Sequence, residues 1–380
     1  MKTNLFVEAI GTVTSLGIGT ENAFVGLQSQ PHIQSFRHNE KLIFPVSKVT
    51  ELLNCQDNHR AFKFAQIALD CIERQTNKPI NKRDKTALLI GCTKGESFAI
   101  SQVLQKKEPD LLTYMIASSN LINTKLSTQY ELPFIPVPNA ACATGAQILQ
   151  KSALLLNEKK FTHIIACMTE ASLTPELIGA FHMLGVLTNN INGTAPFNKN
   201  HHGFHIGEGA VALLLSLNKS PNSWGQALGA ASATDAQNFT TFPNGPHIVW
   251  ETIQNLCKSC DVKLSEINHV TLHGTGTLAN DFMELALSSL FIKENKEVSF
   301  STFKPFPGHL LGASGLSEFA LSLICAQNSW LPPILNTQSK DASLPPHFIL
   351  EPTGRQKEVN YFINLSYGLG STIGVILGKK

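Results

Sequence analysis

Apolar and polar positions along the chain fall into two alternating patterns. Runs that are apolar on both faces and rich in β-branched residues occur at 5–14 (LFVEAIGTVT), 86–94 (TALLIGCTK), 134–140 (FIPVPNA), 162–169 (THIIACMT), 209–217 (GAVALLLSL), 267–274 (INHVTLHG), 360–368 (NYFINLSYG) and 372–378 (TIGVILG). Such runs predict strands covered on both sides. Between them, apolar residues recur every three to four positions at 59–75, 144–160, 280–293 and 315–327, which predicts helices. The alternation predicts an α/β architecture, a buried and largely parallel sheet under layers of helix. Short repeats are absent, but each half offers a strand, a glycine-rich turn and a helix. VPNAACATG does so early; VTLHGTGT and FPGHLLGASG do so late. The expectation is a duplicated half-fold, residues 1–220 and 221–380, with NKSPNSWGQ as the crossing loop.

Composition narrows the partners. The 380 residues are 43% hydrophobic and only 15% charged, with a formal net charge of +2. A large interior or buried interface fits that balance, and neither nucleic acid nor an anionic membrane is called for. Eight cysteines, at 55, 71, 92, 142, 167, 257, 260 and 325, sit mostly inside apolar runs. In a chain this long they read as reduced thiols of a cytoplasmic protein rather than a disulfide framework. The start, MKTNLFVEAIGTVTSLG, lacks a signal-peptide pattern, and no run approaches about 18 apolar residues.

Three segments carry reactive side chains on strand-turn-helix elements. In NAACATGAQIL, Cys142 precedes small residues and an incipient helix, where unpaired N–H groups and the helix dipole favour a thiolate. A packed structural thiol is the alternative reading. In LHGTGT, His273 leaves a strand into glycines, with Thr275 and Thr277 spaced to point the same way. FKPFPGHLLGASG carries Lys304 and His309 ahead of a helix bearing Glu318, which could pair with the lysine. A thiol and two imidazoles are equipment for acyl transfer: a nucleophile, and donors for a developing oxyanion or enolate.

NAACATG, HGTGT, KPFPGHLLGASG and NLSYGLGS, in that order, resemble the elongating β-ketoacyl-acyl-carrier-protein synthases, and PFNKNHHGFHIGEGA resembles a further segment of that family. The resemblance implies a thiolase-like fold, duplicated βαβαβαββ halves in a five-layered αβαβα sandwich. It implies a decarboxylative Claisen condensation, in which Cys142 carries the acyl chain and His273 and His309 bind the malonyl thioester. Lys304 and Glu318 would support the His309 loop, and Thr275 and Thr277 would bind the pantetheine arm. The N–H groups of Cys142 and Leu369 would form the oxyanion hole, and Phe204 would line the acyl pocket. No cofactor and no metal are implied, since substrates ride on the phosphopantetheine of acyl carrier protein. The partners implied are that carrier and a second chain, identical or related. Histidine at 309 separates this pattern from the asparagine of priming synthases and the second cysteine of thiolases.

Several positions depart from the family pattern. Leu369 stands where a gating phenylalanine is usual, Asn198, His201 and His202 replace charged residues, and Ile373 replaces an asparagine. These departures point to a specialised fatty-acid or polyene/polyketide pathway. HHGFH (His201, His202, His205) has the look of a metal cluster but lacks further ligands nearby, and CKSC (Cys257–Cys260) reads as helix-face thiols. Residues 108–122 are the candidate for chain-length control. Two rivals are a chain-length-factor-like partner subunit of a heterodimer and a CoA-dependent thiolase or priming synthase.

Overall fold

The computed structural model of the chain describes residues 1–39, 42–50, 59–105, 118–200, 202–238, 245–337 and 344–380. Ten strands form the path of one sheet: β1 (Lys2–Thr14), β2 (Thr86–Gly91), β3 (Phe134–Pro136), β4 (His163–Glu170), β5 (Gly209–Ser216), β6 (Gly225–Thr234), β7 (His269–Thr271), β8 (Ser299–Ser301), β9 (Tyr361–Gly368) and β10 (Thr372–Lys379). Their spatial order is β8-β7-β9-β10-β6-β1-β5-β4-β2-β3. Counted from its own first strand, each half therefore reads 1-5-4-2-3.

The helices described are α1 (Thr20–Leu27), α2 (Arg60–Thr76), α3 (Ser97–Gln105), α4 (Ser119–Tyr130), α5 (Thr144–Asn157), α6 (Pro175–Met183), α7 (His247–Ser259), α8 (Leu278–Glu294) and α9 (Ser314–Gln327). Helix α2, the α3–α4 pair and α5 join the first four strands of the N-terminal half, and α7, α8 and α9 do so in the C-terminal half. Both halves thus follow the expected βαβαβαββ order.

The sheet is mixed, which corrects the expectation of a largely parallel one. In each half the second strand pairs parallel with the third and fourth. The last strand runs antiparallel to both its neighbours, and the antiparallel β1–β6 pairing joins the halves. Parallel neighbours need a crossover, which the helices supply; β9 and β10 are joined by three residues, and a turn that short returns the chain antiparallel.

Alternation along the strands sorts their side chains into layers. Ile164, Ala166 and Met168 of β4 face a central core with Ala146, Leu149 and Ala153 of α5 and Phe319, Leu323 and Ile324 of α9. Ile165 and Cys167 face outward onto Phe64, Ala68 and Ile72 of α2. In the other half Phe362 and Ile376 face the centre, while Ile363, Leu365 and Leu377 meet Val249, Ile253, Leu287 and Phe291 of α7 and α8. The result is five layers. Helix α9 is buried on every side from Ser314 to Ala326, and its one charged residue, Glu318, is paired with Lys304. Burying each such Leu or Phe contributes about 1.5–3 kcal/mol.

The N-terminal turns of α5 and α9 cross where both carry glycine. A Cβ on Gly145 would collide with the backbone N of Leu316, and one on Gly315 would lie 3.3 Å from the Cys142 carbonyl. This contact brings the Cys142 turn of one half against the His309 loop of the other.

Candidate active site

Cys142 sits in a 3₁₀ turn, Ala141–Ala143, directly ahead of α5. Ala141 takes φ 49°, a left-handed conformation that turns the chain sharply between strand and helix. The Sγ lies 3.3 Å from His309 Nε2. His309 Nδ1 is 2.8 Å from Ser314 Oγ at the start of α9, and the His309 ring stands edge-on to Phe204, 4.7 Å between centroids. The His273 and His309 rings are 5.3 Å apart at 85°. Behind His273, Lys304 Nζ lies 3.3 Å from its Nδ1 and pairs with the Glu318 carboxylate. An ammonium can only donate, so His273 Nδ1 accepts and the ring proton sits on Nε2.

Burial holds both imidazoles neutral, their pKa values driven well below the usual histidine range, with the Lys304 charge adding to the effect. Burial also pushes the Cys142 thiol up to about 11, against the opposing charges of Lys304 and Lys94. At the N-terminal end of α5 the sulfur thus faces a neutral imidazole.

One pocket collects these residues. It is lined by Cys142, His273, His309, Thr275, Thr277, Phe204 and Leu369, together with Phe181, Leu184, Val186 and Tyr367. The Thr275 and Thr277 hydroxyls are 3.0 Å apart. Leu369 enters the lining because Gly368 packs onto the Cys142 turn. A Cβ there would come within 2.8 Å of the Ala140 carbonyl oxygen and 3.0 Å of Ala141 Cβ. The structure therefore brings together Cys142, His273, His309, Thr275, Thr277, Phe204 and Leu369, with Lys304 and Glu318 buried behind His273.

Two carboxylates escaped the sequence reading. Glu284 accepts the backbone N–H groups of His273 (2.6 Å) and Gly274 (2.9 Å) and the Asn280 amide (2.8 Å), and so holds the His273 turn. Asp281 accepts the Phe197 N–H at 2.8 Å. Burial raises both to about 7. Acids three apart near the start of a helix share one face, and the fold turns that face toward HGTGT.

The departures and decoys have plain places. Asn198 donates to the Asn336 carbonyl at 3.3 Å and accepts from Asn200 N–H at 3.1 Å, amide bonds at a position where the family pattern has a charged residue. His202 is exposed and its backbone bridges Thr277; His201 lies outside the described residues. His205 is buried with both ring nitrogens engaged, Nδ1 by Thr194 and Nε2 by Ser47. Ile373 is buried opposite Tyr367 in the β9–β10 hairpin. Cys257 and Cys260 are buried against the outer C-terminal core. Residues 108–117 of the chain-length segment lie outside the described residues. Among the described residues, no helix is long and apolar enough to cross a membrane.

Residues 59–220 match the family model described as beta-ketoacyl synthase, N-terminal domain, and residues 225–338 match its C-terminal domain. A putative mitochondrial 3-oxoacyl-[acyl-carrier-protein] synthase of Schizosaccharomyces pombe is 24% identical over 98% of each chain. The 3-oxoacyl-[acyl-carrier-protein] synthase 2 of Vibrio harveyi is 22% identical over 100% of this chain and 99% of its own. Among solved structures, a complex of a type II polyketide-synthase acyl-carrier protein with its ketosynthase superposes with a TM-score of 0.87 at 20% identity, covering all of both chains. The ketosynthase–chain length factor complex of Xenorhabdus doucetiae gives 0.77 at 20% identity, over 99% and 97%. At these identities the structural matches speak for the fold.

Proposed function

The chain belongs to the β-ketoacyl synthase family of the thiolase superfamily, and from that premise we propose that it condenses an enzyme-bound acyl group with malonyl-acyl-carrier protein, with loss of carbon dioxide, to give 3-oxoacyl-acyl-carrier protein. The observation that carries this reading is the meeting of Cys142 Sγ, His309 Nε2 and the Lys304-backed His273 in one pocket.

In the first half-reaction the Cys142 thiol passes its proton toward His309 Nε2 as sulfur attacks the acyl thioester. The proton leaves with the phosphopantetheine thiol, and the acyl group stays on Cys142. Malonyl thioester then binds with its thioester oxygen between His273 Nε2–H and His309 Nε2–H. The second donor requires Ser314 Oγ–H to donate to His309 Nδ1, which their 2.8 Å separation allows. Loss of carbon dioxide leaves an enolate whose charge these donors stabilise. Its carbon attacks the Cys142 thioester, the N–H groups of Cys142 and Leu369 hold the tetrahedral oxyanion, and collapse expels the cysteine sulfur as a thiolate that takes a proton from water to regenerate the thiol. Lys304 with Glu318 keeps His273 in the donor tautomer. Thr275 and Thr277 guide the pantetheine arm, and Phe204 and Leu369 bound the acyl chain.

This chemistry uses no metal and no bound cofactor. Its setting is the cytoplasm and its partners are acyl carrier protein and a second identical or related chain, with the halves dividing at 220/221 in keeping with the repeated strand order. A chain-length-factor role would leave Cys142 without a task. The test is to incubate the protein with acyl-carrier protein, follow the acyl mass increase on Cys142, and then add malonyl-carrier protein. The adduct is expected to form and then disappear into product. No adduct would sink the synthase reading, and a persistent adduct would leave a transacylase.

A further inference from the structure

His205 belongs to the histidine cluster that the sequence singles out, and the reaction above gives it no task. Its side chain is fully buried and spans three segments. Nδ1 accepts the Thr194 N–H at 2.9 Å, while the His205 N–H donates to Thr194 Oγ1 at 3.0 Å, a reciprocal pair. Because Nδ1 accepts, the ring proton sits on Nε2 and donates to Ser47 Oγ at 3.0 Å. Ser47, at the end of the strand Ile43–Ser47, can then donate its own hydroxyl hydrogen bond to the Phe306 carbonyl at 3.4 Å. The hydrogen-bond chain therefore starts at Thr194 and ends in the loop that carries His309.

The backbone completes the connection. His309 N–H donates to the His205 carbonyl at 2.9 Å, and Gly207 N–H donates to the His309 carbonyl at 3.1 Å. The His309 loop is thus hydrogen-bonded onto the segment that the imidazole anchors. The ring occupies a slot between two glycines. A Cβ on Gly193 would stand 2.8 Å from Nδ1, and one on Gly308, the residue before His309, would stand 3.0 Å from Cδ2. Phe204 and His205 face opposite ways along the extended segment, so the phenylalanine meets the His309 ring in the pocket while its neighbour braces the loop from behind.

We infer that His205 is a positioning residue for His309, a neutral imidazole that fixes where Nε2 of the catalytic histidine stands relative to Cys142. This rests on the condensation reading for its consequence in turnover, but not for its geometry. Burial lowers the His205 pKa to about 3, so the brace stays neutral and keeps its one-donor, one-acceptor pattern across the working pH range.

The test compares the wild type with His205→Leu, His205→Asn, Ser47→Ala, His309→Ala and the His205→Leu/His309→Ala double variant. Two readouts are taken: the pH profile of Cys142 alkylation by iodoacetamide, and kcat and KM for malonyl condensation. His205→Leu is expected to shift the alkylation profile toward that of His309→Ala and to lower kcat at least tenfold with KM within twofold. His205→Asn, which keeps an acceptor for Thr194, should recover most of the loss. In the His309→Ala background, His205→Leu should change neither readout further. Should His205→Leu fail to fold, Ser47→Ala, at the far link, is expected to give a smaller loss of the same kind. Wild-type kcat in a folded His205→Leu, or an equal added loss without His309, would overturn the inference. A wild type that forms no condensation product would refute the condensation reading instead, leaving the alkylation profile to decide the positioning role.

Discussion

In the N-terminal half, Ala141 at φ 49° opens a 3₁₀ turn that closes at Ala143, and α5 begins at Thr144; in the C-terminal half, Leu311 at φ 47° opens the same turn to Ala313, and α9 begins at Ser314. Aligned this way, Cys142 corresponds to Gly312 and Asn139 to His309. The backbone was duplicated with its strained residue, at about 1–2 kcal/mol each, but the chemistry was not. Around Gly312 there is no room for a side chain: a Cβ would collide with Thr93 and lie 2.6 Å from Glu170 Oε1. Glu170 is itself spent on Thr93, accepting its N–H at 2.7 Å. Asn139 is spent locally, its Oδ1 accepting the Ala141 N–H at 3.0 Å. Each half thus lends half a site, and one pocket receives both.

The sharpest way to break this asymmetry is Cys142→Ala. Condensation should fall on the order of 10³-fold or more, as for other nucleophile deletions, with no acyl adduct by mass spectrometry and unfolding unchanged within about 1 kcal/mol. Residual turnover near the wild-type level would move the nucleophile elsewhere.

Next in size is Lys304→Met. Removing one member of a buried ion pair leaves the other uncompensated and costs about 3–5 kcal/mol. Here it also frees His273 Nδ1 to take the proton. Denaturant midpoints should drop, and malonyl decarboxylation should drop more than Cys142 acylation. Lys304→Met/Glu318→Gln should regain much of the stability and none of the decarboxylation. Regained activity would place Lys304 outside the tautomer argument.

The third test adds an atom to the silent half. Gly312→Ala forces Thr93 and Glu170 apart, and overpacking of this sort costs about 1–3 kcal/mol. A calorimetric scan should show the loss; an unchanged Tm would mean the turn around Gly312 is looser than its contacts indicate.

Cys142, His273 and His309 were marked by glycine-rich turns between strand and helix, a local pattern that left a packed thiol open, and the four ordered motifs of the family resemblance supplied their expected roles. Lys304 and Glu318 were legible as a possible pair on adjoining elements. Glu284 and Asp281 were not, since an acid on a helix normally faces solvent and only the fold turns that face inward. Strand β6 (GQALGAASAT) was missed for a related reason. Its alanines and glycines carry no strand preference, and they are there because α5 and α7 pack closely on it. Burial, which opposes the charged form of Cys142, is a tertiary property that no local pattern shows.

Each half also buries a neutral histidine away from the reacting atoms, His205 in one and His269 in the other, both lowered to about 3 by burial. His269 lies between the Ser299 and Ser301 hydroxyls, each 3.1 Å from a ring nitrogen. With folded values below the unfolded one of about 6.5, these groups contribute stability above that pH and lose it as pH falls toward 3. Each contributes a slope of up to about 1.4 kcal/mol per pH unit. His269→Gln should remove one such slope from urea midpoints measured between pH 6.5 and 4. A parallel pH dependence in variant and wild type would contradict the buried neutral ring.

The smallest expected effect belongs to Thr277→Val, and it asks whether the C-terminal half lends anything to the pantetheine arm. Thr277 is the N-cap of α8, a position where threonine usually accepts a helix N–H, yet its side chain makes no capping bond. The hydroxyl instead meets Thr275 at 3.0 Å on the pocket wall. Deleting it therefore leaves the helix end as it was and removes one neutral hydrogen bond to the bound arm, worth about 0.5–1.5 kcal/mol. KM for malonyl-carrier protein should rise by roughly two- to tenfold with kcat and Tm unchanged. If Tm falls and KM does not, the hydroxyl belongs to the helix, and the pantetheine assignment is left to Thr275.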